Sequence, residues 1–259
     1  MALILPDPRL DMPELFIPGR QPTGPVVTTR KSYVTMIGAG RVPVISRPPS
    51  AYGTVINATG RLGAASRAGS YTSGRLKFGS INGANFQSDG LTMIAVADVS
   101  TMPSTLYPSL VSIMPTGEYY GICSLAIGSG LGYLYANVYA GNSSSTLFAD
   151  GSYGVVTNDT DLAAADQVVM VASYDKSTLS LTTLLLGGAS NGMLRDFSHA
   201  HSFGWPSGTC EINVGGYLRS TERCYYNNIY FAQVLEGPET SAARRADIAR
   251  NPYQFLVPA

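Results

Sequence analysis

Short apolar segments separated by glycine-containing turns run through the middle of the chain, and they restrict its fold more than any other feature. Residues 91–97 and 168–172 are nearly continuous apolar runs rich in β-branched residues, which is typical of strands covered on both faces. Further strands are predicted at residues 179–186, 211–214 and 229–235, with turns at Gly187-Gly188, Asn191-Gly192 and Gly215-Gly216. This spacing predicts an antiparallel β-sandwich over residues 33–236.

The charge content limits the partners that such a sandwich can have. The chain has 259 residues, 17 basic and 17 acidic, so that its net charge is zero and charged residues make up 13% of it. An average soluble protein has about 25%. Without a basic excess the chain is not expected to bind nucleic acid. The low charge density also indicates that much of its surface is covered by other molecules.

Targeting and cysteine usage point to synthesis in the cytoplasm. No stretch approaches the roughly 18 apolar residues of a membrane span, and the N-terminus lacks the basic lead-in of a secretory signal. We therefore expect neither a membrane nor a secretory route. The three cysteines, Cys123, Cys210 and Cys224, form an odd set that favours buried thiols, although Cys210 and Cys224 could pair under oxidising conditions.

The first 32 residues form a segment of a different kind. Six of the 16 prolines lie here, at a spacing that excludes a helix or a sheet interior and predicts an extended arm. Large apolar side chains recur along this arm, and they would be costly to leave in water. The residues concerned are Leu3, Ile4, Leu5, Leu15, Phe16 and Ile17. We expect this assembly arm to lie in a groove of a partner protein.

One short helix is predicted near the C-terminus, in a segment of residues 237–259. Gly237 is the expected N-cap, with Pro238 in the first turn, and Pro252 is expected to end the helix. The apolar residues that follow are expected to dock on the sandwich edge or on a partner. The fold class is therefore an all-β antiparallel sandwich with an extended Pro-rich arm and one short C-terminal helix.

A tyrosine-rich strand is the best candidate for a binding face. Residues 133–139 alternate, with Leu134, Ala136 and Val138 on one face. The other face holds Tyr133, Tyr135, Asn137 and Tyr139. Strand propensity alone explains such tyrosines, but aromatic faces also bind proteins and stack on sugar rings. Either use requires exposure or contact, and we place protein contact ahead of sugar binding.

Several segments together carry a family resemblance. They are residues 18–25, 91–97, 166–175, 212–216, 226–231 and 249–256. The order of the segments from residue 91 onwards resembles the concanavalin A-like, laminin-G-like jelly-roll domains of phage virion proteins, and this match runs over residues 86–256. Residues 18–25 resemble the N-terminal arm of such proteins. The final core strand, the short helix and the Asn-Pro-aromatic-Gln-aromatic-Leu ending are its most specific parts. The resemblance implies a lectin-type jelly roll in a structural protein of the phage head or tail.

The sequence contains few residue patterns that are typical of an enzyme active site. Gly188-Ala189-Ser190-Asn191-Gly192 matches the Gly-x-Ser-x-Gly pattern, but a nucleophile elbow needs a strand before it and a helix after it, and no helical pattern follows Ser190. A hairpin turn is the favoured interpretation. His199 and His201 lack an identifiable third metal ligand, and Asp159 and Asp161 lie in a polar loop. We predict no catalytic residue, no metal site and no cofactor.

The leading hypothesis is thus a non-enzymatic phage virion protein, assembled in the host cytoplasm. The most favoured role is a head decoration or minor capsid protein, attached through its arm to major capsid or tail subunits and forming a homo-oligomer. The alternative is a carbohydrate-binding adhesin module of a tail or tail fibre that contacts host-surface glycans. A hydrolase that uses Ser190 is a weaker third possibility.

Deleting residues 2–25 should leave a folded sandwich that no longer joins particles. Attachment through an extended arm depends on many modest contacts made at high local concentration, and the deletion removes them together. Incorporation is measured by the copies of the protein that sediment with purified particles. Normal incorporation of the truncated chain would contradict the role of the arm.

Overall fold

The computed structural model describes residues 32–37, 44–45, 54–56, 75–82, 90–99, 109–115, 123–127, 134–140, 143–148, 165–201, 208–215 and 229–252. The first elements are β1 (Ser32–Ile37), β2 (Val44–Ile45), β3 (Thr54–Ile56), β4 (Arg75–Asn82), β5 (Leu91–Asp98), β6 (Ser109–Pro115) and β7 (Cys123–Ile127). They are followed by β8 (Leu134–Ala140), β9 (Ser143–Phe148), β10 (Gln167–Tyr174), β11 (Thr178–Leu186), β12 (Leu194–Ala200), β13 (Thr209–Val214), β14 (Ile229–Glu236) and the helix α1 (Ala242–Arg250).

The strands form two sheets of seven. Sheet A has the order β12-β11-β10-β5-β14-β1-β2, and sheet B has the order β3-β4-β13-β6-β7-β8-β9. Every pairing is antiparallel. The predicted all-β antiparallel jelly-roll sandwich is confirmed. The strands predicted at residues 91–97, 168–172, 179–186, 211–214 and 229–235 are also confirmed, as β5, β10, β11, β13 and β14.

The main core lies between the two sheets. Alternate residues of each strand point into it, and burying each large apolar side chain contributes roughly 1.5–3 kcal/mol. Sheet A supplies Leu91, Met93, Val168, Met170, Leu181 and Val234, and sheet B supplies Leu110, Ile113, Leu125, Leu134, Ala136, Ile212 and Val214. Leu134 and Ala136 thus occupy the core face that the alternation of β8 predicts.

A second apolar layer covers the outer face of sheet A. The remaining residues of the central strands, among them Ile94, Val96, Val169 and Val171, pack there with Ile248 of α1. This second layer explains why β5 and β10 are apolar along almost their whole length, since both faces of these strands are buried. The helix α1 packs over β10, β11 and β12 within this layer.

The start of the helix differs from its prediction. The helix begins at Ala242, and the hydroxyl of Ser241 accepts a hydrogen bond from the backbone N–H of Arg244 at 3.3 Å. Gly237 instead has a φ of 76° and its carbonyl accepts from the Thr92 hydroxyl at 2.9 Å, which ties it to the sheet. The prediction that Gly237 is the N-cap was therefore wrong. Ser241, four residues later, offers the side-chain oxygen that a glycine lacks.

The predicted N-terminal arm precedes β1. Its apolar residues Leu3, Ile4, Leu5, Leu15, Phe16 and Ile17 lie outside the described residues. Its role as a tether to other virion proteins stays a prediction.

Candidate functional site

A row of polar residues crosses all seven strands of sheet B in register. Backbone pairing connects Thr54, Lys77, Asn213, Ser112, Ser124, Asn137 and Thr146, in the order of the strands from β3 to β9. Residues that lie directly opposite one another in antiparallel strands point to the same face. Asn213 alternates with the core residues Ile212 and Val214, so the members of the row whose side chains are described, Ser112, Asn137 and Asn213, lie on the outer face of sheet B.

Other polar and aromatic side chains stand beside the polar row on the same face. Glu211 lies two residues from Asn213 on β13 and pairs with Met114 of β6. Tyr135 lies two residues from Asn137 on β8. Together they give one carboxylate, carboxamides, a hydroxyl and an aromatic ring on a single sheet face.

These side chains are held within the protein. Ser112, Met114 and Asn213 have no exposed surface, whereas Tyr135, Asn137 and Glu211 are 4–5% exposed. We call the latter three the rim, because they keep a small solvent contact that Ser112, Met114 and Asn213 lack. Side chains buried to this degree pack against the rest of the chain and have fixed positions.

The structure brings together part of the predicted binding face. Tyr135 and Asn137 share the outer face of β8, as the alternation predicts, and their burial shows contact rather than exposure. Tyr139 belongs to β8, but its side chain is not described, and Tyr133 lies outside the described residues. The sequence analysis missed Ser112, Glu211 and Asn213. The alternation of Glu211 and Asn213 with apolar residues in β13 was a signal that could have placed the last two on one face.

A second polar cluster lies on the outer face of sheet A, beneath the helix. Arg245 of α1 is 1% exposed and forms a bidentate ion pair with Asp196 of β12. Its Nε donates to Oδ1 at 2.9 Å and its Nη2 donates to Oδ2 at 2.8 Å. Thr182 of β11 also donates to Asp196 Oδ1.

The remaining donors of Arg245 are satisfied as well. Its Nη1 donates to the carbonyls of Glu239 at 2.8 Å and Thr240 at 3.0 Å, and its Nη2 donates to the Ser198 hydroxyl at 3.2 Å. Because every N–H group of this buried guanidinium donates to a neighbour within the protein, none is left to bind a substrate. The role of Arg245 is therefore to hold the surrounding elements in place. The cluster thus attaches α1 to the β11–β12 edge of the sandwich.

The arrangement around Ser190 does not form a nucleophile elbow. Ser190 is buried in a single 3-10 turn, Gly188–Ser190, and the next element is strand β12, not a helix. Asp196, the acid that a hydrolase triad would use, is paired with Arg245. The predicted turn between β11 and β12 is confirmed.

The two histidines have different surroundings. His199 is exposed on β12, whereas His201 is buried, with its Nε2 3.2 Å from the carbonyl oxygen of Asp175. Burial lowers the pKa of His201, and the Asp175 carbonyl and carboxylate oppose this shift only in part. His201 is therefore held in its neutral form more strongly in the folded than in the unfolded chain.

This pKa predicts a loss of stability in weak acid. Below about pH 6.5 the unfolded chain binds a proton at His201 more readily than the folded chain does, so the free energy of unfolding falls as the pH drops towards the folded pKa. Above about pH 6.5 the full contribution of this pKa shift to the free energy of unfolding is present. Urea denaturation of wild type and His201→Gln between pH 7.5 and 5 should show a shallower loss in the variant. Equal slopes for wild type and His201→Gln would contradict the assignment.

Other predicted features fall partly within the described residues. Cys210 is a buried thiol on β13, and Cys224, Asp159 and Asp161 lie outside the described ranges. The part of the chain that the structure describes brings no three His, Cys, Asp or Glu side chains into a metal-binding cluster. Its helical residues also include no segment with the length and apolarity of a membrane span.

No protein-family model matches this chain, and no curated protein does. Solved structures with a similar fold include the CBM40 of the Ruminococcus gnavus IT-sialidase, at 14% identity, 85% coverage of this chain, 100% of that chain and a TM-score of 0.48. The enzymatically active domain of Bacteriophage CBA120 tailspike protein 2 is similar at 13% identity, with 93% of this chain, 32% of that chain and a TM-score of 0.47. The CBM2 module of Lactobacillus casei BL23 phage J-1 evolved Dit is similar at 14% identity, with 86% and 94% coverage and a TM-score of 0.40. Likeness at this level carries no conclusion about a ligand or an activity.

Proposed function

We propose that this chain is a non-catalytic, carbohydrate-binding module of a phage tail or tail fibre, and that it binds glycans at the rim of sheet B. The polar row and its rim are the observation that carries the proposal. The resemblance of the sequence to phage virion proteins supports the placement on a virion.

The side chains of the rim suit a sugar. A sugar presents many hydroxyl groups, each of which both donates and accepts hydrogen bonds. The Glu211 carboxylate accepts such bonds, the Asn137 carboxamide can do both, and the Tyr135 ring offers an apolar face with a polar tip.

The spacing of the strands favours a ligand longer than one sugar ring. Glu211 lies on β13 and Asn137 lies on β8, and three inter-strand steps separate these strands. Each step is about 4.8 Å, so that the two strands lie roughly 14 Å apart. A ligand that contacts both Glu211 and Asn137 therefore has to extend over roughly 14 Å.

Binding without hydrolysis fits the acidic residues on this face. Glycoside hydrolysis by the common mechanisms needs two carboxyl groups that flank the scissile bond. Among the side chains described on the outer face of sheet B, Glu211 supplies a single carboxylate. This supports a module that holds a glycan and leaves it intact.

A glycan array with matched variants tests the proposal. Wild type should bind a subset of oligosaccharides, and Asn137→Ala should bind them at least about fivefold more weakly, since a lost buried hydrogen bond costs about 1–3 kcal/mol. Asp247→Asn is the control, because Asp247 is exposed on α1 over the opposite sheet. Thermal melting establishes that each variant is folded. If wild type binds no glycan, or if folded Asn137→Ala binds as well as wild type, the proposal fails.

The head decoration role remains a prediction from the sequence. It depends on the N-terminal arm, and no described residue favours the head over the tail. Copy number per particle separates the two, since a shell protein is present in far more copies than a tail protein.

A further inference from the structure

The strand β12 is an exposed edge of sheet A. It lies last in the order of that sheet, and in the described part of the chain it pairs with β11 alone. Its residues are half-buried from Leu194 to Phe197 and exposed from Ser198 to Ala200, whereas β10 and almost all of β11 are buried. A strand at an edge presents backbone groups that can pair with another strand.

Two hydrogen bonds show which backbone groups of β12 point outward. The N–H of Leu185 donates to the carbonyl of Met193 at 2.9 Å, and the N–H of His201 donates to the carbonyl of Ser177 at 2.7 Å. Bonding in an antiparallel pair alternates from residue to residue, so the odd-numbered residues of β12 bond to β11. The N–H and C=O groups that point away from β11 belong to the even-numbered residues Leu194, Asp196, Ser198 and Ala200.

The usual protections of an edge strand are missing from β12. Natural edges are kept from pairing by short strands, by bulges, or by proline and lysine. The edge strands β2 and β3 have two and three residues. In contrast, β12 has seven residues, contains neither proline nor lysine, and keeps an unbroken register with β11. Its outward backbone groups are therefore open to a partner strand.

We propose that β12 is a dimerisation edge, at which two copies of this chain pair antiparallel and join their A sheets into one continuous sheet. The sequence of β12 suits this partner, because all seven residues overlap when Phe197 faces its own copy at the twofold axis. Aromatic pairs across strands are favourable. The outward residues then meet as hydrogen-bonded pairs, Asp196 with Ser198 and Leu194 with Ala200, and each pair exchanges both of its bonds.

The charges of the chain are compatible with this pairing. Its net charge is zero, so two copies approach each other without long-range repulsion. Asp196 faces Ser198 of the second copy, and Arg195 faces His199, so that residues of the same formal charge at pH 7 do not meet along the strand. Asp196 is also paired with Arg245 of its own copy through both carboxylate oxygens. Its negative charge is thus compensated before the second copy arrives.

Sedimentation equilibrium of the full chain tests for the dimer, and a proline on the edge tests its site. Wild type should show a monomer–dimer equilibrium below about 1 mM. Ala200→Pro removes an outward N–H, a change that an edge strand tolerates. It should raise the dissociation constant at least about fivefold, because the dimer loses a hydrogen bond on each side of its twofold axis. Ala200→Ser keeps the N–H and should leave the constant unchanged.

Hydrogen exchange locates the interface in wild type, whether or not Ala200→Pro folds. As the concentration rises through the dissociation constant, the amides of the even-numbered β12 residues should become protected. The amides of the odd-numbered residues bond to β11 and should be protected at every concentration. The proposal is overturned by a chain that stays monomeric up to about 1 mM, or by a dimer whose even-numbered amides stay unprotected. It is also overturned if a folded Ala200→Pro, as judged by thermal melting, dimerises as tightly as wild type. None of these results bears on glycan binding at the rim.

Discussion

Replacing Arg245 with alanine is expected to lower the free energy of unfolding by about 3–5 kcal/mol, measured by urea denaturation. The variant leaves the Asp196 carboxylate beneath α1 without the guanidinium that pairs with both of its oxygens. It also removes the donors to the carbonyls of Glu239 and Thr240, which precede the helix. Breaking a buried pair costs more than the pair contributes, because one charge remains behind without compensation.

The last arginine of the helix provides a matched control. Arg250 lies on the same helix, and its Nη1 is 3.7 Å from Oδ1 of Asp247, with side chains that are 34% and 64% exposed. Exposed pairs of this kind contribute about 0–1 kcal/mol, so Arg250→Ala should change the free energy of unfolding by no more than that. Similar losses for Arg250→Ala and Arg245→Ala would contradict a special role for Arg245.

A double-mutant cycle with Asp196→Ala separates the pair from the packing. If the ion pair dominates, the combined variant should lose much less than the sum of the two single variants, because the first replacement already breaks the contact. Additive losses would indicate that Arg245 acts through its stem and the backbone carbonyls instead.

Gly90→Ala is the second variant with a large expected effect, a loss of about 3 kcal/mol or more in the free energy of unfolding. Gly90 precedes β5 with a φ of 61°, a conformation that costs other residues roughly 1–2 kcal/mol. A Cβ at this position would overlap the backbone carbonyl oxygen of Tyr174 and would lie 3.1 Å from Cδ of Pro238. A backbone atom cannot turn aside as the end of a side chain can, so the sheet itself would have to move.

Gly192→Ala isolates the contribution of the backbone conformation. Gly192 also has a positive φ, of 82°, but a Cβ there would meet no atom within 4 Å. Its loss should therefore be about 1–2 kcal/mol, from the left-handed conformation alone. The difference between the two variants measures the close approach at Gly90, and losses of equal size would show that this approach has no cost.

The sequence predicted the strands well where one face or both faces had to be apolar. The runs that form β5 and β10 are apolar at almost every residue, as strands buried on both faces must be. The alternation of β8 correctly predicted that Leu134 and Ala136 lie in the core. The helix was also found, but its start was misplaced, because Gly237 and Ser241 are both acceptable N-caps by residue type. The choice between them depends on the hydrogen bond between Thr92 and Gly237, which joins residues 145 positions apart.

The two polar clusters could not be predicted in the same way. The polar row depends on the register of strands that are far apart in the chain, and Asn213, Ser112 and Asn137 show no relationship until the sheet is assembled. Arg245 has a local signal, since it lies three residues before the apolar Ile248 and so on the same face of α1. Its partner Asp196 lies 49 residues away, and only the packing of α1 on the sheet brings the two together.

The position of α1 after every strand that it covers has a consequence for synthesis. The outer face of β10 and β11, with Val169, Val171 and Leu184, has no cover from α1 until residues 242–250 have left the ribosome. A chain whose synthesis stops before this point would expose this apolar surface in the cell. Such fragments should be captured by chaperones or degraded by proteases, whereas finished copies escape both.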